Sequence, residues 1–348
     1  MENLKPRILV TGGGAPGAYG IIHSLQQDYE VFSCDIQQET IGSSMASHSF
    51  TVPAGNDADY IPALLDRCKA YKIELVFPIT TKELIPLSKA KAEFESEGIK
   101  VLISPTSELE IANDKGALYR HLHGRGVQIP EFKLAYDLDS FEQASKHWLD
   151  RGLPFVFKPC VSNGSRGFRI INAAVDAHDL LFNEKPNNAN MSYVAALSTL
   201  SSKAFPELLV SDYLSGAEYT VDCLVDNGQP LLILPRLRTK MNNGISVAGE
   251  LVEHKEIIAY CKSILAQLNL HGPIGIQVKM NDRKEARLLE INPRIQGSSV
   301  ALNGAAVPLI SLAVRLGLGE SIAEAIDDLK IGWGIRFQRH YQEIYWKS

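Results

Sequence analysis

The sequence predicts an α/β opening built on a doubly wound parallel sheet, followed by a longer α+β part rich in antiparallel hairpins. Three observations carry this. Short β-branched runs alternate with helical stretches over residues 1–112. Later strands come in hairpin pairs, one of them joined by Asn227-Gly228, the strongest short hairpin signal. The 348 residues, 45% of them apolar, are enough for two or three domains with real cores.

The first strand is RILVT, residues 7–11. It runs into the turn Gly12-Gly13-Gly14-Ala15-Pro16-Gly17 and an apolar-periodic stretch through Leu25. YEVFSCDI carries a second strand to Asp35, and helical segments 58–71 and 81–97 accompany the strands ELVFPI (74–79) and KVLISP (100–105). A Gly-rich turn with an acid about 20 residues on has the composition of a dinucleotide site. Pro16 interrupts that fingerprint, and any tight strand-to-helix turn favours glycine. Three readings stay open: a dinucleotide cradle with Asp35 on a ribose, a turn lining another ligand pocket, and a purely structural turn. Thr80-Thr81-Lys82-Glu83 follows a sheet strand, where open α/β sheets place ligands. Glu83 either orients a substrate or is a solvated glutamate favoured by the helix dipole.

In the second part, Asn113 or Asp114 caps a helix running to about Gly124. Lys115 at that helix start opposes the dipole and is a candidate functional lysine. Residues 153–159 form an apolar strand carrying Lys158, a costly placement unless the ammonium meets an anion. The loop Ser162-Asn163-Gly164-Ser165-Arg166-Gly167 joins this strand to the next. Small residues expose several backbone N–H groups that can close over phosphates. Strands follow at 207–214, 218–225 and 231–238.

Residues 273–294 hold the most informative pattern. Strands Ile274–Met280 and Arg287–Asn292 flank the turn NDRKEA. A symmetric turn pairs Gln277 with Glu290. Alternation then gathers Gly275, Gln277, Lys279, Leu288, Glu290 and Asn292 on one face, with Ile276, Val278, Met280, Leu289 and Ile291 on the other. An amide, a carboxylate and an amide are hard oxygen donors of the kind Mg²⁺ shares with substrate phosphates. A solvated hairpin face is the plainer reading.

Composition excludes several classes. Lys plus Arg is 35 against 40 Asp plus Glu, a net charge of −5, so there is no general attraction to nucleic acid or anionic membranes. No apolar run reaches the ~20 residues of a bilayer span, and MENLKPRILV leads into a strand, unlike a signal peptide. The five cysteines contain no C-x-x-C pair and are odd in number. They fit buried free thiols in a reducing cytoplasm better than a metal, redox or disulfide framework.

Taken in order, NDK at 113–115, VFKP with SNGSRG, SDYLSGAEYTVD, GIQV, and EINPR with QGSS resemble the ATP-grasp superfamily. The likeness is to its carbamoyl-phosphate-synthase large-subunit and pyrrolysine-biosynthesis ligase types, and it covers nearly the whole chain. It implies a Rossmann-like pre-ATP-grasp domain over 1–112, then a two-subdomain ATP-grasp fold. The first subdomain, 113–190, would carry the phosphate loop. The second, 191–320, would carry the Mg²⁺ site, with 321–348 as a C-terminal extension. ATP and Mg²⁺ are the implied cofactors. Lys115 and Lys158 would contact the phosphates, with Ser165, Arg166 and Gly167 of the loop folding over them. Asp212 and Leu214 would meet the adenine through backbone groups, and Glu218 would hold the ribose. Gln277, Glu290 and Asn292 fall on metal-ligand positions. Arg294 would contact the transferring phosphoryl group or the acyl phosphate, and Arg236 and Arg238 line the same cleft in the family.

The resemblance implies an ATP-dependent carboxylate–amine ligase that acts through an acyl phosphate and releases ADP and phosphate. Its partners would be a small-molecule carboxylate and amine, with no nucleic acid and no membrane, in the cytoplasm; a homodimer is admitted. Ser211 and Asp212 depart from the glutamate or glutamine and the glutamate common there. A single ATP-grasp half without internal repeat argues against carbamoyl phosphate synthesis, and no biotin-carrier motif is visible. A non-catalytic ATP-binding or sensing module and an NAD-dependent dehydrogenase are the alternative readings.

Overall fold

The computed structural model describes residues 5–346 except 163, 185–188, 243 and 341. The chain forms two compact units. The first comprises Met1–Glu110, Glu218–Val278 and Ile291–Ser348, the second Ile111–Ala217 and Lys279–Glu290.

The first unit opens with β1 (Arg7–Thr11), α1 (Ala18–Leu25), β2 (Glu30–Asp35), α2 (Ile41–Met45), β3 (His48–Thr51) and α3 (Tyr60–Tyr71). Next come β4 (Leu75–Phe77), α4 (Leu84–Ser96), β5 (Lys100–Val101) and α5 (Thr106–Asn113). The five strands form one parallel sheet in the order β3-β2-β1-β4-β5, as the alternating pattern predicts. Period-2 alternation divides β1 between two cores. Ile8 and Val10 pack with Ile21, Ile22 and Phe77 on one face, and Leu9 packs with Phe32, Leu64 and Phe94 on the other. The strand order reverses between β1 and β4, the switch point of such sheets.

Both loops at that switch point are tied up by the chain itself. A Cβ on Gly13 would stand 2.5 Å from Ser33 Oγ, and one on Gly17 would stand 2.4 Å from Gly297 Cα. Asp35 accepts the N–H of Gly14 at 2.8 Å and that of Gln37 at 3.1 Å. The glycines and the acid that suggest a dinucleotide thus serve close backbone packing. Glu83 is also corrected: it is 3% exposed, neither solvated nor open to a substrate. Its carboxylate accepts from Thr11 Oγ1 at 2.7 Å, Thr80 N at 2.8 Å and Tyr60 Oη at 2.8 Å.

Burial pushes the Glu83 pKa above the ordinary carboxylate value, despite these hydrogen bonds. The folded state then holds this proton more tightly than the unfolded chain. The associated stability is fully present below the unfolded pKa and is lost as pH rises through the folded one. Glu83→Gln is expected to flatten that part of the profile. Denaturant unfolding at a series of pH values checks it; a slope unchanged in the variant contradicts the assignment.

The second unit contains α6 (Lys115–Leu122), β6 (Phe132–Ala135), α7 (Leu138–Leu149), β7 (Phe155–Pro159) and β8 (Arg169–Ile171). These are followed by α8 (Ala177–Asn183), α9 (Tyr193–Leu200) and β9 (Leu208–Asp212). The sheet order is β6-β9-β7-β8, with every neighbouring pair antiparallel. α7 begins on an Asp137/Ser140 capping box and buries Phe141 and Trp148 against Phe155 and Val210.

The chain continues with β10 (Glu218–Asp226), β11 (Gln229–Asn242), β12 (Ile245–Leu251), α10 (Lys255–Leu265), β13 (Gly272–Met280) and β14 (Ala286–Asn292). A 3₁₀ turn at Ser299–Ala305 leads to α11 (Leu309–Gly317), α12 (Ala323–Asp327) and β15 (Arg336–Gln338). These strands form a six-stranded sheet, β14-β13-β10-β11-β12-β15. Asn227 (φ 44°) and Gly228 (φ 81°) form the two-residue turn that Asn-Gly predicts between β10 and β11.

The β13–β14 turn departs from symmetry. Asn281 N donates to Glu285 O at 3.0 Å and Lys284 is left-handed at φ 61°, so the turn is centred on Arg283. Leu288, placed on the polar face by strict alternation, is fully buried, while Leu289 is only half-buried. All five cysteines are buried and free, and burial pushes the Cys160 thiol up to about 12. Among the described residues, no single helix is long and apolar enough to cross a membrane.

Candidate functional site

In the second unit, Asp114 caps α6 by accepting from Ala117 N at 2.9 Å, and this fixes Lys115 on the first turn. The Lys115 backbone N–H donates to Cys160 O at 2.8 Å, locking the helix start to the end of β7. Its side chain is 7% exposed. Nζ donates to Ser162 O at 2.8 Å and stands 3.3 Å from Glu290 Oε2. Lys158, next to the last residue of β7 and buried, donates to Leu289 O at 2.9 Å and lies 6.0 Å from the centroid of the Tyr119 ring. Tyr119 Oη donates to Leu288 O at 2.6 Å. Two lysines far apart in sequence therefore meet consecutive residues of the EINPR-bearing strand. Tyr119, which sequence reading passed over, braces the same strand.

The loop after β7 is a tight exposed turn. Gly164 (φ 61°), Ser165 (φ 58°) and Gly167 (φ 77°) are left-handed, and Gly164, Ser165, Arg166 and Gly167 are all exposed. Asn163 lies outside the described residues. Such a turn points backbone N–H groups outward, which suits an oxyanion. Asp212 is committed internally. Oδ1 accepts from Trp148 Nε1 at 2.9 Å and Oδ2 accepts from Glu131 N at 2.9 Å, so its side chain is a structural acceptor. Leu214 is buried.

In the first unit, Arg238 forms a salt bridge with Glu218, donates to Gly244 O, and donates to Ser246 Oγ at 2.9 Å. The two residues assigned by resemblance to the ribose and to the cleft thus pair with each other. Arg294 Nε donates to Thr81 Oγ1 at 3.1 Å and Nη1 to Ile295 O at 2.9 Å. Thr81 holds the arginine that follows EINP. Gln277 and Asn292 are half-buried on β13 and β14. Arg236 and Asp222 form a buried ion pair at 2.5 Å that sequence reading missed. The signal was present: the Asn-Gly turn fixes the hairpin, and Asp222 opposes Leu234, two residues before Arg236.

Among the described residues, no cluster of three or more His, Cys, Asp or Glu side chains could hold a metal by itself. Glu290 is a part-exposed carboxylate, an oxygen donor of the kind a hard cation shares with substrate phosphates. The ammonium of Lys115 beside Glu290 shows that this carboxylate already accommodates positive charge.

A doubly wound unit carrying Arg294 and an antiparallel unit whose buried lysines meet β14 are features of the ATP-grasp class. The comparisons support an ATP-grasp ligase resembling the PylC-like and carbamoyl-phosphate-synthase types. Residues 204–337 match the family "ATP-grasp in the biosynthetic pathway with Ter operon", and residues 8–102 match "PylC-like, N-terminal domain". A carbamoyl phosphate synthase large chain of Mesorhizobium japonicum is 28% identical over 262 residues. The match takes in 69% of this chain but only 22% of that relative. A formate-dependent phosphoribosylglycinamide formyltransferase of Prochlorococcus marinus is 24% identical over 298 residues, covering 83% of this chain and 70% of the relative.

Among solved structures, an ADP complex of N5-carboxyaminoimidazole ribonucleotide synthetase aligns with a TM-score of 0.69 at 14% identity, over 92% of this chain and 80% of that one. An L-amino acid ligase from Bacillus licheniformis aligns with a TM-score of 0.66 at 14% identity, over 93% and 77%. At these identities the structural likeness establishes the fold.

Proposed function

We propose that this protein is an ATP-dependent carboxylate–amine ligase that forms an amide through an acyl phosphate and releases ADP and phosphate. One observation carries the reading: two buried lysines, Lys115 and Lys158, meet the strand bearing Glu290, at 3.3 Å from its carboxylate and 2.9 Å from Leu289 O. A phosphoryl-transfer site needs buried cations held in place and a carboxylate for a metal, and requires no protein nucleophile. The named activities of the relatives and structural neighbours, which include an L-amino acid ligase and a formyltransferase, support a small-molecule substrate pair.

In this reading Lys115 and Lys158 bind the β and γ phosphates. Ser165, Arg166 and Gly167 cover them with backbone N–H groups and a guanidinium. The backbone at Asp212 and Leu214 meets the adenine, and Glu218 holds the ribose. Gln277, Glu290 and Asn292 would hold Mg²⁺, which when bound neutralises phosphate charge. Arg294, oriented by Thr81, stabilises the phosphoryl group as it passes to the carboxylate oxygen, and Arg238 lines the same cleft and holds Glu218 in place through their ion pair. The amine then attacks the acyl carbon and the phosphate leaves. Residues 1–112 would serve as the pre-ATP-grasp domain, 113–190 and 191–320 as the two ATP-grasp subdomains, and 321–348 as an extension. A cytoplasmic homodimer is consistent with this chemistry.

The test is ADP release with Mg-ATP against amino acids, hydroxy acids and uronic acids, singly and in pairs. Release that needs one carboxylate and one amine is expected. ATP binding without acceptor-dependent ADP release would instead mark a non-catalytic ATP-binding module.

A further inference from the structure

The resemblance places Arg236 along the cleft without giving it a contact, and the reaction steps proposed above use neither Arg236 nor its partner Asp222. Arg236 is 1% exposed and Asp222 2%, and Arg236 Nε meets Asp222 Oδ2 at 2.5 Å. Arg236 Nη2 donates to Ser298 Oγ at 3.1 Å, and Ser299 Oγ donates to the other Asp222 oxygen. Phe337 of β15 lies over the guanidinium, its ring centroid 5.5 Å from Cζ. Gly249 makes room for that ring: a Cβ there would stand 2.7 Å from Phe337 Cε1. One nitrogen is left over. Arg236 Nη1 is buried and has no acceptor among the described residues.

This arrangement is poorly explained by stability. Apolar residues of similar volume commonly serve a buried position as well as an ion pair does. A buried N–H of a charged group without an acceptor is among the costlier defects a fold can carry. Asp222 accepts from Nε and from Ser299 Oγ, and neither of its oxygens meets Nη1. What the cluster does achieve is rigidity. With Nε, Nη2 and one face fixed, the guanidinium is held in a single orientation. Arginine N–H groups bond most strongly to charged oxygens. The two serines lie four and five residues after Arg294, in the turn whose Gly297 touches Gly17.

We propose that Arg236 Nη1 is a donor to an oxyanion ligand, one oxygen of a carboxylate or phosphate group, and that Asp222, Ser298 and Phe337 are the residues that position it. Assigning that oxyanion to a reactant of the ligase rests on the proposed function; anion binding itself does not.

The experiment is thermal unfolding of the full chain without nucleotide, titrated separately with acetate, bicarbonate and inorganic phosphate at constant ionic strength, with chloride as control. The wild type should show a saturable rise in Tm with at least one of them. A response to acetate or bicarbonate assigns a carboxylate; a response to phosphate alone assigns a phosphoryl group. Arg236→Met combined with Asp222→Asn removes both charges together, so no buried charge is stranded, and should abolish the response. Arg236→Lys keeps the charge but lacks Nη1 and should raise the half-saturating concentration at least about tenfold. Ser298→Ala should raise it several-fold with little change in the anion-free Tm.

No response beyond chloride in the wild type, or an unchanged response in the double variant and in Arg236→Lys, overturns the proposal. The wild-type response to Mg-ATP is recorded in parallel. Its absence counts against the nucleotide reading and leaves the anion result standing on its own.

Discussion

Lys158→Ala is expected to slow acceptor-dependent ADP release by roughly 30- to 4,000-fold, the equivalent of about 2–5 kcal/mol for removing one partner of a desolvated charge contact. Lys158 pairs with Leu209 on the neighbouring strand, and its ammonium is already held by Leu289 O and faced by Tyr119. A cation fixed and desolvated beforehand stabilises developing phosphate charge without reorganising at the moment of reaction. Lys158→Met separates the effects. It keeps the apolar stem that packs in the strand but removes the charge, so it should retain the fold and lose the rate. ADP release at the wild-type rate in either variant would remove Lys158 from the site.

Glu290→Gln is expected to raise the Mg²⁺ concentration for half-maximal turnover by at least about tenfold. Changes merely adjacent to a metal ligand cost about 10–100-fold in affinity. Of the three proposed ligands, Glu290 alone brings a negative charge. The substitution keeps size and strand geometry. Lys115 loses its carboxylate partner but keeps the carbonyl of Ser162 at 2.8 Å, so thermal stability should fall far less than metal dependence. A magnesium titration that overlays the wild type rejects the metal assignment at this residue. A collapse of the fold with unchanged magnesium dependence in the surviving fraction would make the Lys115–Glu290 pair purely structural.

What could be read from the sequence was set by local rules. Alternating strands and helices gave the parallel sheet, Asn227-Gly228 gave its hairpin, and Asp114 capped α6, because each depends on neighbours a few residues away. Lys115 and Lys158 stood out because each breaks a local rule, one at a helix start and one on an apolar strand.

What could not be read depended on distant partners. Glu83 looks like a first-turn glutamate until Thr11 and Tyr60 fold onto it. The glycines at 12–17 look like a phosphate loop until Ser33 and Gly297 fill the space beside them. The burial of Leu288 follows from a left-handed Lys284, which makes the turn asymmetric and which symmetric pairing cannot anticipate. Asp212 was legible as a position but not as an acceptor for Trp148, 64 residues earlier.

The central claim is that the γ-phosphoryl group passes to a carboxylate oxygen. If Lys115 and Lys158 grip the β and γ phosphates, the products are ADP and phosphate. The oxygen first bonded to phosphorus belongs to the carboxylate and leaves with phosphate when the amine attacks. Once the ADP-release screen identifies a substrate pair, the carboxylate is supplied labelled with oxygen-18. Mass spectrometry then reads the nucleotide and the phosphate. One labelled oxygen in inorganic phosphate for each amide formed, with unlabelled ADP, is the predicted result. Labelled AMP with release of pyrophosphate would contradict it and would remove the roles given to Lys158 and Arg294.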